Sequence, residues 1–449
     1  MIPQTKYQLM NHTLEQAIDQ FRNQAARYRK SRRYYSGEQD LNFATEKFAN
    51  TFGNLFREFA LNLCPAIVDA VKDKLKIEGF GVQSARFIAY KSETDEAVRD
   101  ESRTLNDIWR SNRMSIRSGE VHREALKNGD AYVIVWPGSD GRVQIVPQSA
   151  ETCTVHYDED EPGKIAWAAK HWRDADKRTR LNLFFPDRIE RYVSKGEGDL
   201  PDHRAFLPFD AESERRSDAE IPASHSHRVS ASIPNPFGLV PVFHFANNAD
   251  IDSFGRSELE DAMAVQDGLN KSVLDMLVAM EVCSFRQRWV AGIEVLKDEA
   301  TGKDIPPFKL GMENIFFASD PNTRFGEFGA TDLEQFLKVK DGFRIDMASV
   351  TGTPLYYLMP QIRGFPSGES LRKAETRFLA KIRDRQEQFG AVWADVMSFA
   401  LRLSGHAGVL LTTRWEDPSP TNERDVLENL RLKLDLGVPP DQVLREAGY

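Results

Sequence analysis

The stretch ESLRKAETRFLAKIRDRQEQFGAVWADVMSFA at residues 369–400 gives the clearest indication of the fold. Its apolar residues recur mainly at steps of three, four or seven: Leu371, Phe378, Ile382, Phe389, Val392, Trp393, Val396 and Ala400. This spacing is typical of one face of an α-helix. A helix of about 32 residues spans roughly 50 Å at 1.5 Å per residue. We therefore predict one long helix from residue 369, of a length that suits a large assembly.

Ser370 and Lys373 at the start of this helix have the S-x-x-K spacing of serine acyl-transfer enzymes. Such a serine needs partner motifs, an oxyanion hole and a lysine held neutral by burial. The sequence contains no S-D-N, K-T-G or G-x-S-x-G motif, and Arg372 beside Lys373 disfavours a neutral amine. Ser367 offers a structural alternative, an N-cap hydroxyl that stabilises the helix by about 1 kcal/mol. We predict the cap at Ser367; a serine hydrolase using Ser370 stays open as an alternative.

The segment before this helix, residues 352–368, contains three prolines and three glycines. Connections longer than about 12 to 15 residues are usually functional or disordered. The apolar run at residues 355–359 argues against simple disorder. We therefore expect a shaped but mobile loop with a function.

Two capping-box signatures precede helical patterns further upstream. Ser257-Glu-Leu-Glu260 predicts a helix over residues 256–283, and Thr331-Asp-Leu-Glu334 predicts a helix over residues 331–350. Between them, residues 286–330 are rich in aromatic residues and punctuated by Pro and Gly, which indicates a small β-rich insert. Two helices are thus expected to bracket a compact insert.

The first half of the chain has a mixed α and β pattern. A polar helix is expected over residues 13–35, and Pro65 begins an amphipathic helix whose pattern stops at Gly79. After a further helix that ends near Asn128, apolar runs predict strands at residues 131–136, 142–146, 153–157, 165–172, 181–185 and 189–193. The polar residues 194–232 are predicted to form a long surface loop. The predicted fold class is α+β.

Composition limits the classes of protein to which the chain belongs. Its 449 residues amount to roughly three domain lengths, and 41% hydrophobic content can fill real cores. The first 16 residues lack a signal-peptide pattern and no segment approaches the roughly 18 apolar residues of a membrane span, so we expect an intracellular protein. Three distant cysteines, Cys64, Cys153 and Cys283, argue against a disulfide framework. The net charge of −9 argues against tight nucleic-acid binding over a broad surface.

No segment has the spacing of a nucleotide or metal site. Gly302-Lys303 lacks the upstream glycine of a phosphate-binding loop. His225 and His227 have no ligand partners at a suitable spacing, which favours a solvated loop. The acidic run Asp158–Glu161 lacks the ligand pattern of an EF-hand, which favours a charged hairpin turn. We therefore predict no cofactor, no metal and no catalytic residue.

Several blocks in a fixed order resemble a known family. They are NLCPAIVDAVKDKLKIEGF at residues 62–80, ALKNGDAYVIVW at 125–136, NPFGLVPVFHFAN at 235–247, GRSELEDAMAVQDGLNKSVLDMLVAMEVCSFRQRWVAGIE at 255–294, and SGESLRKAETRFLAKIRDRQEQFGAVW at 367–393. Together they resemble the portal proteins of tailed bacteriophages, in particular the Gp6-like portals. The resemblance covers nearly the whole chain.

This resemblance implies a portal-type α+β fold assembled as a ring, usually of twelve subunits, at one capsid vertex. The implied parts are an α/β wing at residues 1–255, a stem helix at 256–284, a β-rich clip at 285–330, a second stem helix at 331–351, a tunnel loop at 352–368, a long wing-helix region at 369–412, and a short crown-like helical segment at 413–449. A non-viral helical scaffold protein remains an alternative.

The resemblance also implies a non-enzymatic role in genome packaging, retention and ejection. The implied partners are double-stranded DNA, the terminase large subunit, a head-completion or adaptor protein, and the major capsid and scaffolding proteins. The implied location is the virion, with assembly in the host cytoplasm. An acidic chain suits a conduit, because a strongly basic wall would hold DNA instead of letting it slide.

Two sets of residues follow as functional candidates. In the tunnel loop, Gln361 and Arg363 are expected to meet DNA phosphates weakly, whereas Tyr356, Tyr357 and Met359 are expected to pack the base of the loop.

In the clip, Arg286, Arg288 and Trp289 combine residue types that are enriched in binding hot spots, which predicts partner docking there. Packing of Trp289 in the clip core or against a neighbouring subunit is an equal alternative.

Overall fold

The computed structural model describes residues 4–40, 61–83, 94–209, 232–251, 254–284, 288–292, 321–327, 334–359, 368–419, 423–440 and 443. The helices in these residues are α1 (Gln4–Ser36), α2 (Cys64–Lys72), α3 (Thr94–Ser111), α4 (Met114–Asn128), α5 (Met263–Ser284), α6 (Glu334–Thr351), α7 (Leu355–Leu358), α8 (Gly368–Leu403) and α9 (Glu423–Asp435). None of them combines the length and the apolar character needed to cross a lipid bilayer.

The described strands are β1 (Ile77–Gln83), β2 (Asp130–Pro137), β3 (Val143–Ser149), β4 (Cys153–Tyr157), β5 (Ile165–Arg173), β6 (Arg178–Phe184), β7 (Arg188–Glu197), β8 (Phe206–Pro208), β9 (Ser232–Pro234), β10 (Val242–Ala246), β11 (Arg288–Ala291), β12 (Arg324–Glu327) and β13 (Leu410–Trp415). The chain divides into two compact units: Met1–Gln39, Asn62–Met263 and Ala348–Tyr449 form the first, and Asp40–Leu61 with Ala264–Met347 form the second.

The largest sheet of the first unit is antiparallel and runs in the order β4-β5-β6-β7-β8, with β9 also paired to β7. The strands alternate buried and half-exposed residues, as expected for a sheet with one covered face. Helix α1 covers that face through Leu14, Ile18 and Phe21, which pack with residues such as Leu181 and Tyr192. The predicted strands over residues 153–193 are thus confirmed, with β6 and β7 longer than expected.

A second sheet, β10-β2-β3, lies under α8 and α4. Its hairpin β2–β3 confirms the predicted pairing, with Ile134 opposite Val146. The predicted long helix is confirmed as α8, which has 36 residues. Its apolar face is buried where the periodicity placed it, at Phe378, Ile382, Phe389, Trp393, Val396 and Ala400.

Three sequence predictions are wrong in detail. The first concerns Gly79, where the sequence predicted only the end of a helical pattern. Helix α2 ends at Lys72, and Gly79 lies inside β1, which pairs antiparallel with β13. In this pair Gly81 faces Thr412 so closely that an added Cβ would come within 2.9 Å of the Thr412 hydroxyl oxygen. Gly81 therefore permits the close approach of β1 to β13.

The second correction concerns the helix predicted over residues 256–283, because α5 begins only at Met263. The Ser257 hydroxyl donates to the Lys127 carbonyl oxygen at 2.5 Å and accepts the Leu259 N–H at 3.1 Å. Glu260 pairs with Arg256 instead of closing a capping box. The serine therefore ties a turn to the end of α4.

The third correction concerns the loop predicted over residues 194–232. Strand β7 continues to Glu197, and a short 3-10 helix at His203–Ala205 leads into β8, while β9 begins at Ser232. Phe206 is buried in the core under α1, which explains why this polar stretch extends the sheet. Residues 210–231 lie outside the described residues.

In the second unit, α5 and α6 pack closely. An added Cβ on Gly268 of α5 would come within 2.7 Å of the Phe343 ring of α6. The strands β11 and β12 of the insert pair antiparallel, with Trp289 opposite Gly326. In the sequence, α5 and α6 flank these two antiparallel strands; Thr331 of the second capping box lies outside the described residues.

Candidate channel segment and docking hairpin

We call residues 352–368, the predicted tunnel loop, the candidate channel segment. It begins where α6 ends, and its residues 352–359 and 368 are described. Gly352 has a φ of +65°, the left-handed conformation that favours glycine at a helix C-terminus. The preceding Thr351 carbonyl accepts a hydrogen bond from Lys381 Nζ of α8 at 2.9 Å. The Thr353 N–H donates to the Thr351 hydroxyl oxygen at 3.3 Å. Lys381 of α8 therefore holds the turn at residues 351–353 in place.

The one-turn helix α7 follows Pro354 and contains two of the predicted channel residues. The Tyr356 hydroxyl donates to the buried Glu375 carboxylate. Tyr357 lies against Phe378, with ring centroids 5.8 Å apart. Burial raises the pKa of Tyr356, with a further contribution from Glu375, and burial also raises the pKa of Tyr357. Both tyrosines are therefore neutral and held against α8.

The other predicted residues of this segment are less defined. Met359 is half-buried directly after α7. Gln361 and Arg363, the predicted phosphate contacts, lie outside the described residues, and so does Ser367, the predicted cap. Helix α8 begins at Gly368, one residue after that serine. The backbone places Ser370 in the first turn of α8.

A buried carboxylate organises the other side of the same segment. Glu258 is bonded to Lys381 and accepts from Arg385 Nη2 at 3.1 Å, and both cations project from α8. Burial alone would raise the pKa of Glu258, but Lys381 and Arg385 lower it below its usual value. Lys381 thus contacts both the Glu258 carboxylate and the Thr351 carbonyl. It ties the turn that contains Glu258 and the turn at residues 351–353 to α8.

Sequence reasoning missed this ion cluster. Glu258 lies inside the predicted capping box, whose capping side chains are those of Ser257 and Glu260. Lys381 and Arg385 are four residues apart beside the apolar face of α8, which is the signal that could have indicated a buried anion.

A polar cleft of about 300 Å³ lies beside the cluster. Its walls come from Asn247–Asp261, from Val350–Gly352 and from the α8 residues between Arg377 and Arg385. Its side chains carry both signs of charge, including Arg256, Arg377 and Asp261. The arrangement can hold backbone segments in place. Among the described residues, no group of three or more His, Cys, Asp or Glu side chains is placed to hold a metal ion.

The candidate docking hairpin is β11–β12. Trp289 is 40% exposed, so the hairpin does not enclose it. Its indole lies directly over Gly326, where an added Cβ would come within 2.4 Å of the ring. Arg288 begins β11 opposite Glu327. Arg286 lies outside the described residues, so the structure brings together two of the three predicted docking residues only as neighbours in one strand.

Comparison with known proteins identifies the family. A family model described as phage portal protein, SPP1 Gp6-like, matches residues 14–446. This match includes α8, the channel segment and the docking hairpin. The chain therefore belongs to this family of phage portal proteins, which is a family of structural proteins, and the predicted resemblance is confirmed.

Two relatives and two solved structures illustrate the similarity. The portal protein of Mycobacterium phage L5 is 24% identical over 401 residues, which cover 82% of this chain and 74% of that protein. The portal protein of Mycobacterium phage D29 is 24% identical over 402 residues, covering 85% and 74%. A chain in the neck of an empty gene transfer agent particle matches with a TM-score of 0.47 at 14% identity, covering 84% of this chain and 90% of that one. A chain in the neck of the native particle, computed with C12 symmetry, matches with a TM-score of 0.46 at 12% identity, covering 85% and 93%.

Proposed function

We propose that twelve copies of this chain form the ring-shaped DNA channel at one vertex of a phage capsid. The ring serves genome packaging, retention and ejection, and it is a virion component that assembles in the host cytoplasm. The observation that carries this proposal is the match to the portal family over residues 14–446. Within the ring, α5 and α6 form the stem, β11–β12 belongs to the clip, and residues 352–368 form the tunnel loop.

Exposed apolar side chains on α6 support assembly. Leu337, Val339 and Ile345 are each about half exposed, the last at 52%. Leu337 and Ile345 lie about 80° apart around the helix axis, so one surface of a neighbouring subunit can cover both. Their burial between subunits would remove this area from water, at roughly 25 cal/mol per Å².

The assembly is tested by light scattering and negative-stain imaging of the purified protein. Twelve chains of 51.1 kDa give 12 × 51.1 = 613 kDa. A ring of that mass supports the proposal, and monomer alone at micromolar concentration in several buffers would overturn it. Replacing both Leu337 and Ile345 with Asn is expected to weaken the ring, because it makes the proposed contact polar.

We also propose that residues 352–368 project into the channel, where Gln361 and Arg363 contact passing DNA. The fixed exit from α6, at Gly352 and Lys381, supports a loop that starts from a rigid base. One cation per subunit is enough to guide DNA and too little to trap it. Arg363→Ala is expected to leave rings intact and to alter DNA packaging or retention. Arg402→Ala, at an exposed position on α8, is the matched control.

The clip is proposed to dock the terminase large subunit and the head-completion or adaptor protein. Support comes from the half-exposed Trp289, since exposed Trp and Arg are enriched in binding hot spots. Charge reversal at Arg286 and Arg288 is expected to weaken partner binding while leaving rings intact. If the charge-reversal variant binds its partners at the wild-type level, the docking site lies elsewhere on the chain. The capsid and scaffolding proteins complete the proposed partners.

A hydrolase based on Ser370 remains the rival function. The two are separated by assaying ring assembly and cleavage of generic ester substrates with the wild type and with Ser370→Ala. Ester cleavage that disappears in Ser370→Ala would favour the hydrolase. Rings in both proteins, with no cleavage by either, support the portal.

A further inference from the structure

The face of the six-stranded sheet that α1 does not cover has two different halves. One half is buried by Val155, Ala168, Phe184 and Ile189, which pack in a core with Tyr132 and other residues. The other half consists mainly of half-buried residues in two cross-strand rows, Lys170-Asn182-Arg191 and Trp172-Arg180-Val193-Leu207. Residues directly opposite in a sheet share a face, so these side chains form one surface.

This second half carries cations that lie against aromatic rings. Lys170 Nζ lies 5.3 Å from the centroid of the Trp172 ring. The guanidinium carbons of Arg180 and Arg191 lie 4.3 Å and 5.3 Å from the centroid of Phe209. Cations held over aromatic faces are positioned without needing a carboxylate partner. We call Lys170, Trp172, Arg180, Asn182 and Arg191 the basic patch.

The basic patch contains positive charge that is not balanced by the described residues around it. Arg180 pairs with Asp174 at 2.9 Å. Lys170 and Arg191 make no ion pair with any described residue. Burial lowers the pKa of Lys170, which shows that its charge is held at a cost in free energy. A carboxylate supplied from outside would offset that cost.

The same sheet carries a compact acidic element, the turn between β4 and β5. Asp158 accepts the backbone N–H groups of Asp160 and Glu161 at 2.9 Å and 3.2 Å, which shapes the turn. Glu159 and Asp160 are therefore presented on an ordered, exposed turn. Residues 158–164 contain four acids and one lysine, a net charge of 1 − 4 = −3. We call these residues the acidic turn.

The acidic turn cannot reach the basic patch of its own chain. The acidic turn ends at Lys164, directly before β5 begins at Ile165, and Lys170 and Trp172 of the patch follow five and seven residues after Ile165. At about 3.3 Å per residue, the two surfaces lie roughly 17 to 23 Å apart along the strand. Their charge complementarity therefore fits a contact between two copies of the chain.

We propose that the acidic turn of one subunit docks on the basic patch of the neighbouring subunit in the ring. This inference rests on the proposed ring function and names one of its subunit contacts. The contact joins two different surfaces, so it is head-to-tail and can repeat around a closed ring. Opposite charges across it set the orientation of neighbours and exclude the reverse order.

The test uses two charge-reversal variants that complement each other. Glu159→Lys with Asp160→Lys changes only the turn, and Lys170→Glu with Arg191→Glu changes only the patch. Each variant alone would bring like charges together at every contact, so we expect at least a tenfold loss of ring at a concentration where the wild type assembles. An equal mixture restores opposite charges at every contact if subunits alternate. We expect the mixture to form rings of both variants in equal number, measured by native mass spectrometry.

A matched control places the same charge change elsewhere. Asp107→Lys with Glu120→Lys adds two lysines at exposed positions of α3 and α4. We expect this variant to assemble like the wild type and not to require a partner variant. Assembly of the wild type should also weaken as salt is raised from 0.05 to roughly 1 M, because exposed charges are screened. If the patch variant does not fold, the turn variant mixed with Lys170→Glu tests the same contact.

Several outcomes would overturn the inference without affecting the proposed function. Wild-type rings together with normal rings from each variant alone would show that the two surfaces do not meet. Normal rings that lose affinity for DNA in the patch variant would assign the patch to a polyanion. Normal rings with a lower melting temperature in that variant would show that the chain covers its own patch. Absence of rings in the wild type would instead overturn the proposed function.

Discussion

The C-terminal half of α8 packs against aromatic side chains, whereas its N-terminal half is held by charged and hydroxyl groups. Trp393 lies 4.8 Å from Phe245 between ring centroids, and its indole N–H donates to His122 Nε2 at 2.8 Å. Towards the other end, Lys381 and Arg385 hold Glu258, and Glu375 accepts from Tyr356. One helix thus anchors a sheet by apolar packing and a channel segment by polar contacts. The two halves should therefore respond differently to mutation and to pH.

The largest expected effect is at the aromatic half. Trp393→Ala removes a fully buried ring from contacts with Phe245 and Trp109 and leaves His122 without its donor. We expect a loss of about 4 kcal/mol in the free energy of unfolding, measured by urea denaturation. Trp289→Ala, at a half-exposed position, is the control and should cost about 1 kcal/mol or less. Equal losses of unfolding free energy in Trp393→Ala and Trp289→Ala would show that the buried contacts of Trp393 do not stabilise the fold more than those of a half-exposed tryptophan.

Breaking the ion cluster should have the next largest effect. Glu258→Gln leaves Lys381 without its carboxylate partner and leaves the buried Arg385 with only the more exposed Asp384. We expect a loss of about 3 kcal/mol, because removal of one partner of a buried pair is strongly destabilising. Glu260→Gln removes an exposed partner of Arg256 and should cost less than about 1 kcal/mol. A loss at Glu258 no greater than at Glu260 would show that the cluster does not hold the segment.

The two halves should also differ in pH dependence. Burial lowers the pKa of His122 to about 3, below its ordinary value of 6.5. The unfolded chain therefore binds a proton below pH 6.5 that the folded chain does not, and stability is lost as pH falls from 6.5 towards 3. Between pH 6.5 and 5 this amounts to about 2 kcal/mol. Glu258, whose pKa is lowered, loses its contribution only at lower pH, as its carboxylate is protonated.

The measurement is urea denaturation at several pH values with a matched variant. His122→Gln keeps an acceptor for the Trp393 indole N–H but has no titrating group. Its stability should change less between pH 6.5 and 5 than that of the wild type. Identical pH profiles for the two proteins would show that His122 is not the source of the effect.

The smallest expected effect is at the base of the channel segment. Tyr356→Phe removes the hydroxyl that donates to Glu375 and leaves the ring near Tyr357 in place. We expect a loss of about 1 kcal/mol in the free energy of unfolding. Glu375→Gln retains an acceptor and should cost less. If Tyr356→Phe matches the wild type in both stability and ring assembly, the Tyr356 hydroxyl does not stabilise this segment.

Local sequence patterns predicted two kinds of element. One has a periodic pattern sustained over many residues, and the other pairs with a segment nearby in the chain. The apolar period of α8 and the continuous apolar run of β2 match residues that the fold buries. The pairing of β1 with β13 joins residues more than 300 positions apart, so no local pattern contained it. The sequence predicts only a stop at Gly79, because the close approach of the neighbouring Gly81 to β13 exists only after folding.

The candidate site was predicted less completely than the fold, for the same reason. The apolar run in residues 355–359 indicated a packed loop base, and Tyr357 does lie against Phe378. Glu258 meets Lys381 and Arg385 across more than 100 residues, so no local pattern contains the cluster. The roles of Gln361 and Arg363 stay predictions, since both lie outside the described residues.

The contact between Trp289 and Gly326 restricts the order in which this hairpin can change through mutation. Any residue other than glycine at position 326 would place its Cβ about 2.4 Å from the indole, which is closer than two atoms can lie without displacement. Loss of the tryptophan needs no change at position 326, whereas gain of a side chain at position 326 requires the tryptophan to shift or to be replaced first. Both residues can therefore be replaced if the tryptophan is replaced first, whereas replacement of the glycine first is blocked by the indole.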